Sequence, residues 1–200
     1  MRQRFENWLF EGAYTPDGLT FDVGNATREA LTRGHGLSDE YSNGNGSLMR
    51  ILPLAFTEAG PSDIEAVSSI THAHATSVEA CQLYVDIARR LLKGQQLSEI
   101  LSGLETSTTY ARLQILAELT ADDIRSTGYV VDTLEAALWC LLTSTSYLET
   151  VLKAVNLGDD TDTVAAVAGG LAGIIYGLEG IPDNWLAQLR NKELLESCLF

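Results

Sequence analysis

The densest chemistry in the sequence is Gly158-Asp-Asp-Thr-Asp-Thr163, where three carboxylates and two hydroxyls occupy residues 159–163. Carboxylates this close repel one another unless a cation or a helix N-terminus offsets the charge. A single Asp or Thr is an ordinary helix N-cap, but three carboxylates exceed what capping needs. Donors that are all oxygen suit a hard cation such as Mg²⁺, Mn²⁺ or Ca²⁺. The spacing is not that of a calcium-binding loop, because no closing Glu follows in register. A second segment, Ser42-Asn-Gly-Asn-Gly-Ser-Leu-Met-Arg50, has glycines that would let backbone amides approach phosphate or sugar oxygens. Taken alone, that pattern is also met by a plain flexible loop. The apolar run from Leu48 to Phe56 argues that this loop is pinned to the core.

Two weaker signals remain. Within a helix, Thr71-His-Ala-His74 would turn its two histidines to different faces, so they share no zinc. The plain reading is one structural histidine and one at the surface. In Ser126-Thr-Gly-Tyr-Val130 an aromatic follows a glycine ahead of a helix, where it could stack on a base or simply join the core.

These residues need elements to position them. The chain has 200 residues, enough for one domain; 46% are hydrophobic and 20% charged, which excludes a disordered or coiled-coil chain. A net charge of −14 without a Lys/Arg cluster argues against nucleic acid and anionic membranes as partners. Cys81, Cys140 and Cys198 are far apart and odd in number, so neither a zinc site nor a disulfide framework is expected; Cys81 and Cys140 read as small buried hydrophobes. The N-terminus does not resemble a signal peptide, and the apolar run Val164–Leu178 is too short to span a bilayer. A soluble, cytoplasmic protein is expected.

Periodicity predicts helices over 2–10, 26–34, 63–69, 76–93, 96–103, 110–119, 131–143, 146–156, 161–177, 183–189 and 192–197, with a turn at 14–18 and a loop over 35–50. No convincing strand alternation interrupts them. The class is all-α, with one domain over 1–200. Gly169, Gly173 and Gly177 recur every four residues in the 161–177 helix. Each costs roughly 1 kcal/mol in a helix interior, so a central helix closely approached by neighbours is expected.

Read in order, the segments Phe-Asp-Val-Gly-Asn (21–25), Gly-Asn-Gly-Ser-Leu-Met-Arg-Ile-Leu-Pro (44–53), Thr-His (71–72), Gly-Tyr-Val-Val-Asp-Thr-Leu-Glu-Ala-Ala-Leu-Trp (128–139), Val-Asn-Leu-Gly-Asp-Asp-Thr-Asp-Thr-Val-Ala-Ala-Val-Ala-Gly (155–169) and Ile-Pro-Asp-Asn-Trp (181–185) resemble the ADP-ribosylglycohydrolase family, which includes the dinitrogenase reductase-activating glycohydrolases. The resemblance covers nearly the whole chain from about residue 5. It implies a compact multi-helix orthogonal bundle, a binuclear Mg²⁺ or Mn²⁺ centre, and hydrolysis of the glycosidic bond joining ADP-ribose to a protein side chain or small molecule. By resemblance, Asp160, Asp162 and Thr163 match the family's C-terminal metal-ligand segment, and Asp159 falls where the pattern usually has glycine. Asp22 and Asn25 match a loop approaching the ribose; Ser42, Asn45 and Gly46 match the loop holding phosphates and ribose; His72 and Tyr129 match cleft positions, the latter near the adenine. Asp22 and Asp162 carry the catalytic assignment. An oxocarbenium-like transition state at the anomeric carbon would be stabilised by nearby carboxylates such as Asp22.

The sequence departs from the family pattern at its start. The N-terminal region with a Thr/Ser-Asp-Asp-Thr stretch, which supplies the remaining metal ligands, is not in this chain. Asp122 and Asp123 lack the context to replace it and read as the start of a short segment. Half of a two-metal site is therefore expected, with the Gly169/Gly173/Gly177 face partly exposed and open to self-association or to a complementing N-terminal segment. A catalytically inactive ADP-ribose binder, or a fragment without ligand, is the alternative to the enzyme.

Overall fold

The computed structural model describes residues 1–198; Leu199 and Phe200, the last two of the expected domain, lie outside the described residues. Ten α-helices follow one another: α1 (Arg2–Glu11), α2 (Asn25–Arg33), α3 (Pro61–Ser68), α4 (Ala75–Leu92), α5 (Leu97–Ser102), α6 (Val130–Leu142), α7 (Tyr147–Asn156), α8 (Thr161–Tyr176), α9 (Asp183–Gln188) and α10 (Lys192–Cys198). Two isolated bridges, Leu37 with His72 and Gly44 with Tyr129, are the strand-like pairings among the described residues. The all-α expectation holds.

Local chemistry sets the helix boundaries. Pro61 opens α3, where its missing N–H costs nothing, and the Asp63 carboxylate accepts the Gly60 N–H at 2.8 Å. His74 caps α4 by accepting the Thr76 N–H at 3.2 Å, and Ser146 caps α7 through the Glu149 N–H at 3.1 Å. Gly94, at φ +79°, follows the end of α4 in the left-handed conformation that favours glycine. Gly12 is required for a different reason. At φ +66° a side chain there would place its Cβ 2.0 Å from the Gly18 carbonyl oxygen, so the turn after α1 closes only on glycine.

The core is assembled from α4, α6 and α8. Ile87 and Ala88 of α4, Leu134 and Leu138 of α6, and Ala168 and Leu171 of α8 are fully buried in one cluster. The Tyr84 hydroxyl ties α4 to α8 by donating to the Val167 carbonyl at 2.7 Å. α7 packs alongside α8, and its Tyr147 hydroxyl sits 3.3 Å from where a Gly169 Cβ would lie. At Gly170 a Cβ would fall 2.6 Å from Leu52 Cδ2 and 2.9 Å from the Tyr84 hydroxyl. The small residues of α8 therefore permit close approach, as their helix cost requires.

Three expectations need correction. The glycines of 161–177 do not form one face with one role. Gly169 faces α7, Gly173 meets nothing within 4 Å, and Gly177 lies past the helix end at φ +70°. The helix expected at 110–119 is a 3₁₀ segment, Thr108–Glu118, held to the core by buried Tyr110, Leu113 and Leu116. Residues 71–74 are not helical. Thr71 completes a turn after α3, and the chain then pairs with residue 37: the Leu37 N–H donates to the Thr71 carbonyl at 2.9 Å and the Ala73 N–H donates to the Leu37 carbonyl at 2.7 Å. The Asp122-Asp123 reading stands: Asp123 accepts from the Thr120 N–H and hydroxyl at 2.9 and 2.7 Å and caps a short 3₁₀ turn. Cys81 and Cys140 are buried and Cys198 is exposed. No helix among the described residues is long and apolar enough to cross a membrane.

Candidate functional site

The 35–50 segment is ordered by its neighbours. The Leu48–Arg50 and Leu52–Phe56 turns bury Leu48 and Ile51 completely, which pins the loop's C-terminal end. Its glycine-rich part pairs with the start of α6: the Asn45 N–H donates to the Gly128 carbonyl at 3.0 Å, and the Val130 N–H donates to the Asn43 carbonyl at 2.9 Å. The chain before α8 joins from the other side, where the Asp160 N–H donates to the Ser126 carbonyl at 3.0 Å. Three segments far apart in sequence thus meet at one seam.

Asn45 is the joint of that seam. Its side-chain amide donates to Asp160 Oδ2 at 2.7 Å and to Thr133 Oγ1 at 2.9 Å. Thr133 in turn donates to the Thr127 carbonyl at 2.9 Å. The Asp160 carboxylate makes no capping bond to α8; it is held by Asn45 instead. Gly158 and Asp159 approach α8 at φ +94° and +51°. The left-handed conformation of Asp159 is one that glycine adopts without strain.

A cleft of about 1250 Å³ opens beside the seam. Asp22, Asn25, Asn45, Gly46, His72, Asp160, Asp162 and Thr163 all line it. Asp22 is exposed and left-handed at φ +47°; Asp162 is exposed in the first turn of α8, and Thr163 is buried. Two expected site residues are not on the cleft wall. Ser42 is buried behind it and donates its hydroxyl to Asp39 Oδ2 at 2.6 Å, which holds the Asp39 carboxyl below its usual range. Tyr129 contributes its backbone to the bridge with Gly44; the residue is 43% exposed and is not among those lining the cleft.

Sequence reasoning missed residues that the fold brings in. Phe5, Trp8 and Tyr14, from α1 and its following turn, line one wall with Phe21. The sequence predicts a helix over 2–10, but nothing local says where its aromatic residues point. Arg50 and Thr71 were also unassigned. Arg50 donates to the Gly46 carbonyl and, at 2.8 Å, to Thr71 Oγ1, and lies 4.9 Å from the centre of the Phe5 ring. Burial brings its pKa down to about 10, so it remains charged at neutral pH. Burial, aided by Arg50, brings His72 down to about 4, so its imidazole is neutral there.

The sequence profile of the ADP-ribosylglycohydrolase family matches residues 1–199. This chain belongs to the ADP-ribosylglycohydrolase family. It is 39% identical over 198 residues to the ADP-ribosylarginine hydrolase Tri1 of Pseudomonas putida (strain GB-1), covering 91% of this chain and 53% of that protein. It is 31% identical over 188 residues to the ADP-ribosyl-[dinitrogen reductase] glycohydrolase of Rhodospirillum rubrum, covering 86% of this chain and 61% of the relative. A solved structure described as an ADP-ribosylglycohydrolase-related protein complex superposes with a TM-score of 0.78 at 31% identity, covering 98% of this chain and 70% of the other. This ADP-ribosylglycohydrolase chain therefore spans somewhat more than half the length of these curated relatives.

The metal-ligand expectation meets a partial fit. Asp160, Asp162 and Thr163 are hard oxygen donors gathered at the start of α8, as Mg²⁺ or Mn²⁺ prefers. Among the described residues, however, no three His, Cys, Asp or Glu side chains come together as a ligand cluster. The donor set is of the right kind and short in number.

Proposed function

We propose that this chain carries the ADP-ribose-binding cleft of an ADP-ribosyl hydrolase and takes part in cleaving the glycosidic bond between ADP-ribose and a protein side chain or small molecule. The observation that supports this reading is the convergence in one cleft of the Asn45–Gly46 loop, His72 and Asp22 with Asp160, Asp162 and Thr163. An acidic protein needs something other than surface cations to hold two phosphates, and backbone amides of a glycine-rich loop serve that purpose.

In this reading Asp160, Asp162 and Thr163 are part of the ligand set of a Mg²⁺ or Mn²⁺ centre, which when bound supplies Lewis acidity for orienting the ribose and activating water. Asn45 keeps the Asp160 carboxylate turned toward the cleft by donating to one of its oxygens. Asp22 lends negative charge near the anomeric carbon as positive charge develops there. Water adds to that carbon, the bond to the acceptor nitrogen or oxygen breaks, and the leaving group takes a proton.

The test is release of free ADP-ribose from ADP-ribosylated arginine and from a mixed ADP-ribosylated protein pool, with Mg²⁺ or Mn²⁺, comparing this chain with Asp162→Ala. Asp162 is exposed, so the substitution leaves the core intact. Turnover that Asp162→Ala abolishes supports the enzyme. A second reading, an ADP-ribose binder without turnover, is favoured by the short donor set; saturable binding of ADP-ribose with no release from either protein would select it. Neither binding nor release would overturn both.

A further inference from the structure

A buried chain of hydrogen bonds runs behind the glycine-rich loop. Arg50 can only donate. One of its terminal nitrogens reaches the Gly46 carbonyl, and the other reaches Thr71 Oγ1 at 2.8 Å, with the Val67 and Ser68 carbonyls at 3.3 and 3.5 Å. A cation in a cleft suited to phosphates invites a phosphate-binding role. Here those donors are turned onto the protein's own backbone and onto Thr71.

Thr71 is 1% exposed, and its hydroxyl oxygen lies 2.7 Å from His72 Nδ1. Two arrangements of protons are open. If Nδ1 carried the ring proton, Thr71 would accept from both Arg50 and His72, and its own buried hydroxyl proton would have no acceptor among the described residues. If Thr71 donates to Nδ1, the Thr71 hydroxyl proton and the ring nitrogen satisfy each other and the proton of the neutral ring resides on Nε2; the Arg50 Nε–H is buried without a partner among the described residues in either arrangement. That nitrogen faces Gly44 and Gly46, where added Cβ atoms would lie 3.5 and 3.4 Å from it. The loop leaves room for the ring because position 46 has no side chain; a Cβ there would also lie 2.9 Å from His72 Cε1.

We propose that Arg50 and Thr71 are positioning residues that lock His72 in the Nε2–H tautomer, so that it presents a fixed neutral N–H donor to an oxygen of the ligand lying over Gly44 and Gly46. Only the identity of that ligand rests on the ADP-ribose reading; the tautomer does not. The neutrality of His72 at physiological pH agrees with this arrangement.

The test is nitrogen-15 NMR of the imidazole rings in uniformly labelled protein, with His72 identified by its loss in His72→Gln. The expected result at neutral pH is a protonated Nε2 and an unprotonated, hydrogen-bonded Nδ1. In Thr71→Val, Nδ1 moves to the position of a free ring nitrogen, and Thr71→Ser restores it. A wild-type ring protonated on Nδ1 overturns the proposal without any variant having to fold, as does a Thr71→Val spectrum identical to wild type. A second arm measures ADP-ribose affinity by calorimetry. Thr71→Val is expected to lose roughly tenfold, the scale of one well-placed hydrogen bond, with Thr71→Ser close to wild type. Equal affinities in all three, with the NMR result as expected, would overturn the donor role. Absence of ADP-ribose binding in the wild type would count against the proposed ligand and leave the NMR arm to decide the tautomer.

Discussion

The two walls of the cleft are built in different ways. One consists of α6, the start of α8 and the 42–50 loop, with Val130, Leu134, Leu138 and Val164 fully buried behind it and Asn45 bonded across it to Asp160 and Thr133. The other consists of α1, α2 and the turn between them. There Leu9 is the buried residue of α1, Ala30 and Leu31 those of α2, and the two helices pack chiefly on each other. Phe21 is 82% exposed. Arg2, donating to the Ile70 carbonyl at 2.9 Å, Phe5 against Arg50, and an exposed ion pair between Asp17 and Arg190 are among the ties of this wall to the rest. The carboxylates of the first wall are held by the core, while the aromatics of the second are held by few contacts and can adjust. Regions with few buried apolar contacts open at lower free energy than the global unfolding reaction.

The comparison can be broken most directly in the core. Leu138→Ala, behind the first wall, should cost about 2–5 kcal/mol in urea unfolding, and Leu9→Ala in the second should cost clearly less. Equal losses would mean both walls share one cooperative unit. The pH dependence of unfolding probes His72, which lines the cleft. The folded-state pKa of His72, about 4, lies below its ordinary 6.5. The unfolded chain therefore takes up the proton first as pH falls. The stability linked to His72 is intact above about pH 6.5 and is lost progressively down to about pH 4, by at most roughly 3 kcal/mol. His72→Gln should remove that acid-side slope, whereas a wild-type unfolding midpoint that stays flat between pH 7 and 5 would show the ring is not held as described.

Hydrogen exchange gives a third contrast. Amides in α1 and α2 should exchange at least ~10-fold faster than those of α6 and α8, and comparable protection would erase the distinction. The smallest effect belongs to the glycines of α8. Gly173→Ala meets no neighbour and should stabilise by roughly 0.5–1 kcal/mol, while Gly170→Ala, which would press on Leu52 and Tyr84, should destabilise in thermal melting. Destabilisation by Gly173→Ala in this chain would mean that the open side of α8 is covered in solution.

Much of the helical frame was legible because each helix carries its own signal. Pro61, Gly94 and the Val78–Cys81–Val85–Ala88–Leu92 period mark boundaries and faces without reference to anything distant. The 3₁₀ segment at 108–118 was misread as α-helix, since both place apolar residues at steps of three. Helical geometry does not apply to the histidines of Thr71–His74, since the predicted helices stop at 69 and resume at 76; their actual placement depends on pairing with Leu37, which no local pattern announces. Within the site, the Gly158–Thr163 cluster stood out through its charge alone. Ser42 looked equally suited to a ligand, and only the nearby Asp39 carboxylate, turned back onto it, takes its hydroxyl away from the cleft.

The sequence by itself determined the all-α class, the order of helices and the segment where hard oxygen donors concentrate, because caps, periodicity and charge density act over a few residues. The tertiary structure decided which of those residues share a cleft, that Arg50 serves the backbone and Thr71 rather than standing free, and that Asn45 holds Asp160. These pairings join residues 21 to 115 positions apart, and a contact across such distances exists only after α4, α6 and α8 have packed their buried faces together.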